Sequence, residues 1–333
     1  MRKELLWAGI IGIIFGVAIG FGVYRVRNKV EPDSKATPQP SSASGTGLTK
    51  IALDKPENLR VYTENPISVS GLTKSLNWVV VSSLDADDIA SSMDDGTFSL
   101  DVDLDGGINF IQATSINPDG STAFQKILVV YSSSFTLETD AGSEASGASE
   151  IENSVALKLS QSENPPRAYV GTVTDISEST VQIRSTDSQI QQISTLTESL
   201  TVVDTKGTSN KTVKLADIAI GDFIVAMGYI DGNDVLSAKR ILISDALNEP
   251  KLEVSLYKVQ AVNKKSIDAI SVADSQNSTI TPDKNTVLQS FLEGKTEKIS
   301  LADISENDLI IVVADNSGSP SLIRSIFVLT AKE

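Results

Sequence analysis

Twenty consecutive residues near the amino terminus, Leu5 to Tyr24 ("LLWAGIIGIIFGVAIGFGVY"), carry no charge. As a helix they would extend about 30 Å at roughly 1.5 Å per residue, the thickness of a bilayer's hydrocarbon core. Lipid cannot hydrogen-bond a peptide group, so a lone segment there must satisfy its own backbone as a helix. Trp7 and Tyr24 fall near the two ends, where amphipathic rings prefer the headgroup boundary. The run therefore predicts a membrane-spanning helix over 5–24, inside an anchor of residues 1–30, with the lipid bilayer as its first partner.

Ala18-Ile19-Gly20 offers small residues for cleavage, but the apolar stretch continues beyond them to Tyr24. Cleaved signal peptides have shorter apolar cores of about 7–15 residues, so a retained signal-anchor is expected. With no cysteine in the chain, a lipid-modified cysteine cannot be the anchor. Positive charges flank both ends: Arg2 and Lys3 on one side, Arg25, Arg27 and Lys29 on the other. Counted alone, those charges give no clear orientation and could even place the C-terminus inside, but the charge rule governs short loops while long domains translocate largely regardless of it. The following domain types are typical of exported proteins. The expectation is a single-pass protein of the cell membrane with its C-terminal domains outside the cytoplasm, and a tail, Met1 to Glu4, too short to hold a signalling domain. Ala8, Gly12, Gly16 and Gly20 recur every fourth residue, a small-residue face on which another helix can pack closely. Self-association or an envelope-protein partner through that face competes with the plain abundance of glycine in membrane helices.

Absent residue types narrow the chemistry. There is no histidine and no cysteine, which removes Ser-His-Asp and Cys-His catalysis, histidine metal sites, thiolate ligands and disulfides. A net charge of −15 disfavours phosphate backbones, so no nucleic acid is expected. Lys264-Lys265 and Lys239-Arg240 are the only basic pairs in the folded part, and solvated strand ends account for them. Aromatics are 5% of residues, too few for an obvious sugar-stacking platform. No catalytic constellation and no cofactor are anticipated.

Glu31 to Lys50 has little to bury and is rich in Pro, Ser, Thr and Gly. It reads as a disordered stalk, residues 31–50, of about 25 Å coil span. A Ser/Gly/Glu-rich linker covers residues 136–164. Between and after them lie three folded stretches, 51–135, 165–246 and 251–333, in which strand-like runs separated by Gly, Asn and Asp turns dominate.

In the first stretch "FSLDVDL" alternates cleanly. Phe98, Leu100, Val102 and Leu104 point one way; Ser99, Asp101, Asp103 and Asp105 point the other. The acidic set, followed by Gly106, imitates a calcium loop running from Asp101 to Gln112. Such a loop needs flanking helices and a bidentate Glu at its twelfth position, where this chain has Gln112. Asp101, Asp103 and Asp105 therefore read as the wet face of a strand, with weak Ca²⁺ collection at the hairpin tip, near Asp94 and Asp95, as the minor alternative. The order "NPISVSG … DGTFSLDVDLDGGINFIQATSINPDGSTAFQKILVVY" resembles the bacterial immunoglobulin-like modules of surface proteins. Gly71, Gly96-Thr97-Phe98, Leu104, Gly107 and Asn109 match that family's turn and core positions. The resemblance implies a β-sandwich and no catalytic residues.

The remaining chain repeats itself at an offset of 86: "TVKLADIAIGDFIVAMGYI" from Thr212 aligns with "KISLADISENDLIIVVADN" from Lys298. Downstream, "SAKRILIS" answers "LIRSIFVL" with a one-residue shift. "LADI" predicts a short helical turn feeding a central strand, and five or six strands around it suit a small closed or half-closed barrel. Gly171-Thr172-Val173, Leu215 to Asp222 and Ala238 to Ile241 resemble an uncharacterised bacterial family of small β-barrels; that family implies a fold and no activity. The second copy departs from it at Asn307, in place of the turn glycine, and at Lys258, where Thr172 stands in the first. Tyr169, Phe223 and Tyr229 are the aromatics a nucleic-acid-binding barrel would need, but they fit a core equally well and no basic groove accompanies them.

The expected fold is mainly β: an N-terminal transmembrane helix, an immunoglobulin-like β-sandwich and two tandem small β-barrel (OB-like) domains. The expected role is that of a membrane-anchored, non-enzymatic envelope protein displaying these domains for structural support, adhesion or protein–protein interaction. The alternative is an accessory subunit of a membrane-associated secretion or envelope complex, assembled partly through the transmembrane helix.

Overall fold

The computed structural model describes residues 50–135 and 164–329, apart from 198, 208 and 247. The anticipated helix at 5–24 with Ala8, Gly12, Gly16 and Gly20, and nearly all of the stalk and linker, lie outside the described residues. Among the described residues no helix is long and apolar enough to cross a membrane. Two three-residue 3-10 turns interrupt what is otherwise strand and loop among the described residues, so the structure is mainly β.

The first body is two sheets face to face. One holds β1 (Ala52–Lys55), β3 (Ile67–Leu72) and β6 (Thr97–Val102) in the order β1-β3-β6. The other holds β2 (Val61–Tyr62), β4 (Trp78–Ser82), β5 (Asp87–Ser91), β7 (Gly107–Ile116) and β8 (Thr122–Tyr131) in the order β2-β8-β7-β4-β5. Alternation decides what each strand buries. Val69, Phe98 and Val102 meet Val79, Val81, Ile111, Ala113 and Val129 in a common core, while Ser99 and Asp101 of β6 stay exposed.

Two seven-stranded sheets follow. The first has β9 (Arg167–Ile176), β10 (Thr180–Ser185), β11 (Ile190–Ser194), β12 (Thr201–Asp204), β13 (Lys211–Val213), β14 (Phe223–Ile230) and β15 (Val235–Ser244), in the order β11-β10-β9-β14-β15-β12-β13. The first half of β15 also pairs with β11, which curls five of these strands into a barrel; its second half pairs with β12. The other sheet has β16 (Leu252–Val262), β17 (Ile267–Ser271), β18 (Asn277–Ile280), β19 (Val287–Leu292), β20 (Lys295–Lys298), β21 (Leu309–Asp315) and β22 (Leu322–Val328), ordered β18-β17-β16-β21-β22-β19-β20.

The repeat holds down to irregularities. "LAD" forms a 3-10 turn at Leu215–Asp217 and again at Leu301–Asp303. Opposite β14, Met227 faces Arg240 and Gly228 faces Ala238, leaving Lys239 as a bulge. Opposite β21, Val313 faces Ser325 and Ala314 faces Ile323, leaving Arg324 as the bulge. The one-residue shift seen in sequence sets these two bulges in register. Gly221 and Asn307 both adopt left-handed backbone, with φ of 96° and 72°. Asn tolerates that region better than other side-chain-bearing residues, so the turn survives loss of the glycine.

The described residues belong to one compact unit, Ser42–Glu333, and its cores interlock. β7 is buried on both faces. Its outward residues split between neighbours. Ile108, with Val61 and Val130, packs on Val170, Val225, Met227 and Leu242 of the first repeat. Ile116, with Val80 and Ile89, packs on Leu256, Ile311, Val313 and Phe327 of the second. Val170, Val225 and Met227 stand 86 positions before Leu256, Ile311 and Val313, so both repeats press the same face on the sandwich. Backbone bonds extend the first contact: Val61 N–H donates to Pro166 O (3.0 Å) and Ala168 N–H to Leu59 O (2.8 Å). At the second contact Gly120, with φ of 83°, lies so close to the Val272–Ala273 backbone that a Cβ would fall 2.5 Å from Ala273 N.

Candidate functional site

The sequence singled out Asp101, Asp103 and Asp105, and the structure separates them by environment. Asp101 stays on the exposed face of β6, opposite Ser68. Asp103 and Asp105 follow the strand, Asp105 beside Asp85 in the loop between β4 and β5 and Asp103 near Asp88 at the start of β5. There burial, then the carboxylates of Asp87 and Asp103, push the Asp88 carboxyl above its ordinary pKa. Burial also raises Asp105, helped by the neighbouring Asp85. Asp95 is at the other end of β6, where Oδ1 accepts from Thr97 N (2.9 Å) and Oγ1 (2.7 Å). Among the described residues no group of three or more Asp, Glu, His or Cys is placed to hold a metal ion. Position nine of the loop, Asn109, is a lock rather than a ligand. Its Oδ1 accepts from Asp105 N–H (2.8 Å) and its Nδ2 donates to Asp105 O (2.7 Å).

A raised carboxyl has a signed consequence. Folding favours the protonated form of Asp88, so stability is lowered above its raised pKa and recovers as pH falls through it. Asp88→Asn is expected to raise the melting temperature at pH 7, with the gain shrinking toward zero below about pH 3.9, the ordinary Asp value. Thermal melts at the two pH values check this; an equal gain at both, or a loss at pH 7, contradicts it.

The repeated aspartates are also backbone clamps. Asp217 Oδ2 accepts from Lys214 N–H (2.7 Å), and Asp303 Oδ2 from Ser300 N–H (3.0 Å). Asp222 Oδ2 accepts from Ala219 N–H (2.8 Å), and Asp308 Oδ2 from Ser305 N–H (2.7 Å). Asp222 is held below the usual carboxylate range chiefly by Lys206, whose Nζ lies 2.7 Å from Oδ1. The "L-x-D-I-x-x-G-D" pattern thus encodes a turn.

Aromatic and basic residues go the same way. Tyr169 is buried inside the first barrel, its hydroxyl donating to Asp234 O at 2.7 Å. Phe223 and Tyr229 pack between that barrel and the sandwich, with Tyr229 stacked at a tilt 6.3 Å from Phe135. Lys264 and Lys265 are exposed in the β16–β17 hairpin, and burial lowers the pKa of Arg240. Among the described residues these aromatics and basic pairs do not come together in one groove.

Two features escaped the sequence. One is polar and joins the sandwich to the second repeat. Asp87, its side chain 1% exposed, lies 3.3 Å from Arg324 Nε and accepts from Ser325 Oγ at 2.7 Å. The same guanidinium donates to Ser83 O (2.9 Å) and Ala86 O (3.2 Å). The other is a cleft of about 320 Å³ in the second repeat, between β18 and the start of β22, with Ser255, Tyr257, Ile280 and Ser321 among its walls. No protein-family model matches the chain, and no curated protein matches it.

Proposed function

We propose that this chain is a membrane-anchored, non-enzymatic protein of the cell envelope. A helix over residues 5–24 would hold it in the bilayer with its C-terminal domains outside the cytoplasm. In this reading the two-sheet body is an immunoglobulin-like sandwich and the two repeats are OB-like barrels. The observation that carries the proposal is the uncharged run Leu5–Tyr24 ahead of a large all-β body. A chain without histidine or cysteine, whose repeated carboxylates are committed to turns, favours display over catalysis. Interlocked cores suit that task too, because a body clasped at two interfaces holds a binding surface in a fixed attitude. Its acidic surface keeps it soluble.

Fractionation tests this directly. Full-length product carrying Met1 is expected to remain with membranes through a carbonate wash, and protease added to intact cells should release fragments from Glu31 onward. Release by carbonate would sink the anchor; complete protection would sink outward display. The accessory-subunit reading draws on the stripe Ala8, Gly12, Gly16 and Gly20. It requires that Gly16→Ile reduce the size of the native complex.

A further inference from the structure

Two copies of one fold can be compared position by position, and they part at the seam of the barrel. In the first, Gln192, Ile193 and Ser194 of β11 pair with Val235, Leu236 and Ser237 of β15. The counterparts in the second are fixed by register. Val181 faces Ile193 and Ile267 faces Ile280, so Ile280 stands for Ile193. Ala238 faces Gly228 and Ile323 faces Ala314, so Ser321 stands for Leu236 and Pro320 for Val235. Among the described residues these second edges do not pair.

Sequence explains why. The two side chains that fill the first barrel at this point are both cut down. Tyr169, 7% exposed, becomes Ser255, and Leu236, fully buried, becomes Ser321. The cleft opens where those side chains are missing, and Ser255 and Ser321 both line it. Its volume is at the lower end of the range of about 300–1,000 Å³ seen for ligand pockets. Among the described residues the edge of β18 beside it is unpaired, while on β22 Thr286 Oγ1 already caps Ile323 O at 2.8 Å. Leu322, 54% exposed, projects from the short free stretch that remains.

We propose that this seam docks an extended peptide strand of a partner protein. The strand adds to the edge of β18 and places one large apolar side chain where Tyr169 and Leu236 sit in the first barrel. The first repeat supplies the template, since backbone pairing is what occupies the same seam there. Glu253 is the only carboxylate among the described lining residues, and the chain as a whole carries −15, so the fitting strand has Lys or Arg beside its apolar residue. This inference rests on the display reading and names what the displayed body holds.

The test uses full-length protein in detergent and labelled peptides of the form Lys-Thr-X-Thr-X-Thr-Lys, with X set to Val, Leu, Phe or Tyr. Saturable binding by fluorescence anisotropy is expected, with slowed hydrogen exchange over residues 277–281. Ser255→Tyr with Ser321→Leu, which rebuilds the plug of the first barrel, should weaken binding at least about tenfold. Ser321→Leu alone, at an exposed rim position, should weaken it in the same direction if the double variant does not fold. No saturable binding by any peptide, or equal binding by the plugged proteins, overturns the proposal. So does a concentration-dependent dimer that the plug abolishes, because a second copy would then occupy the seam. Purified protein reads this without reference to topology, so its failure leaves the fractionation result standing.

Discussion

Arg324→Ala is expected to destabilise the protein by about 3–5 kcal/mol, far more than an ordinary surface substitution. The cost comes from Asp87 rather than from the lost attraction alone. With its side chain 1% exposed, that carboxylate would be left in the interior without its cation, and Oδ1 already has no hydrogen-bond partner. The carbonyls of Ser83 and Ala86 lose a donor in the same step. Urea denaturation of the full-length protein in detergent gives the number. Adding Asp87→Asn to Arg324→Ala should recover part of the loss, since the stranded charge is then gone. Arg324→Lys should recover little, because an ammonium cannot reach one carboxylate and two carbonyls with a planar fork. A loss under about 1 kcal/mol for Arg324→Ala would mean that solvent reaches Asp87 after all.

Much of the β architecture could be read in the residues because each strand obeys a local rule. "FSLDVDL" alternates, and β6 buries Phe98 and Val102 while exposing Ser99 and Asp101. "LADI" predicts a turn that recurs with the same carboxylate clamp in both copies. Runs such as "FIVAMGYI" and "LIIVVA" do not alternate, which is the mark of strands covered on both faces. They carried the signal that the repeats have a second buried face. What they could not supply was its partner, since the covering residues, Ile108 and Ile116, are far away in sequence.

The polar interface was hidden for a different reason. Arg324 becomes an inward anchor only because a bulge turns it out of the ladder, and its counterpart Lys239 shows that the bulge itself does not demand arginine. Asp87 looks like one more turn aspartate in "SSLDADD" until β22 is laid beside it. The open seam was closer to legible. Tyr169 against Ser255 follows from the offset of 86, but Leu236 against Ser321 requires the one-residue shift to be placed before the bulge, and only strand register settles that.

The interlocked cores make a second large effect expected at Phe327. It is fully buried in the cluster shared by β22, β21 and the outer face of the sandwich, where Leu242 stands in the first repeat. Phe327→Ala should cost about 3–5 kcal/mol through lost burial and the cavity left behind. The way that loss is distributed matters more than its size. Trp78 belongs to the sandwich and packs against the same cluster, so its fluorescence reports the far side of the interface. If the bodies were independent, the variant would lower only signals from the second repeat. Because Val80, Ile89 and Ile116 share the cluster with Phe327, the Trp78 transition should move to lower denaturant together with the circular dichroism transition. Trp7 also fluoresces, so both curves are taken in a Trp7→Phe background. A Trp78 transition that stays in place while the β signal splits in two would show that the clasp on the sandwich contributes nothing to its stability.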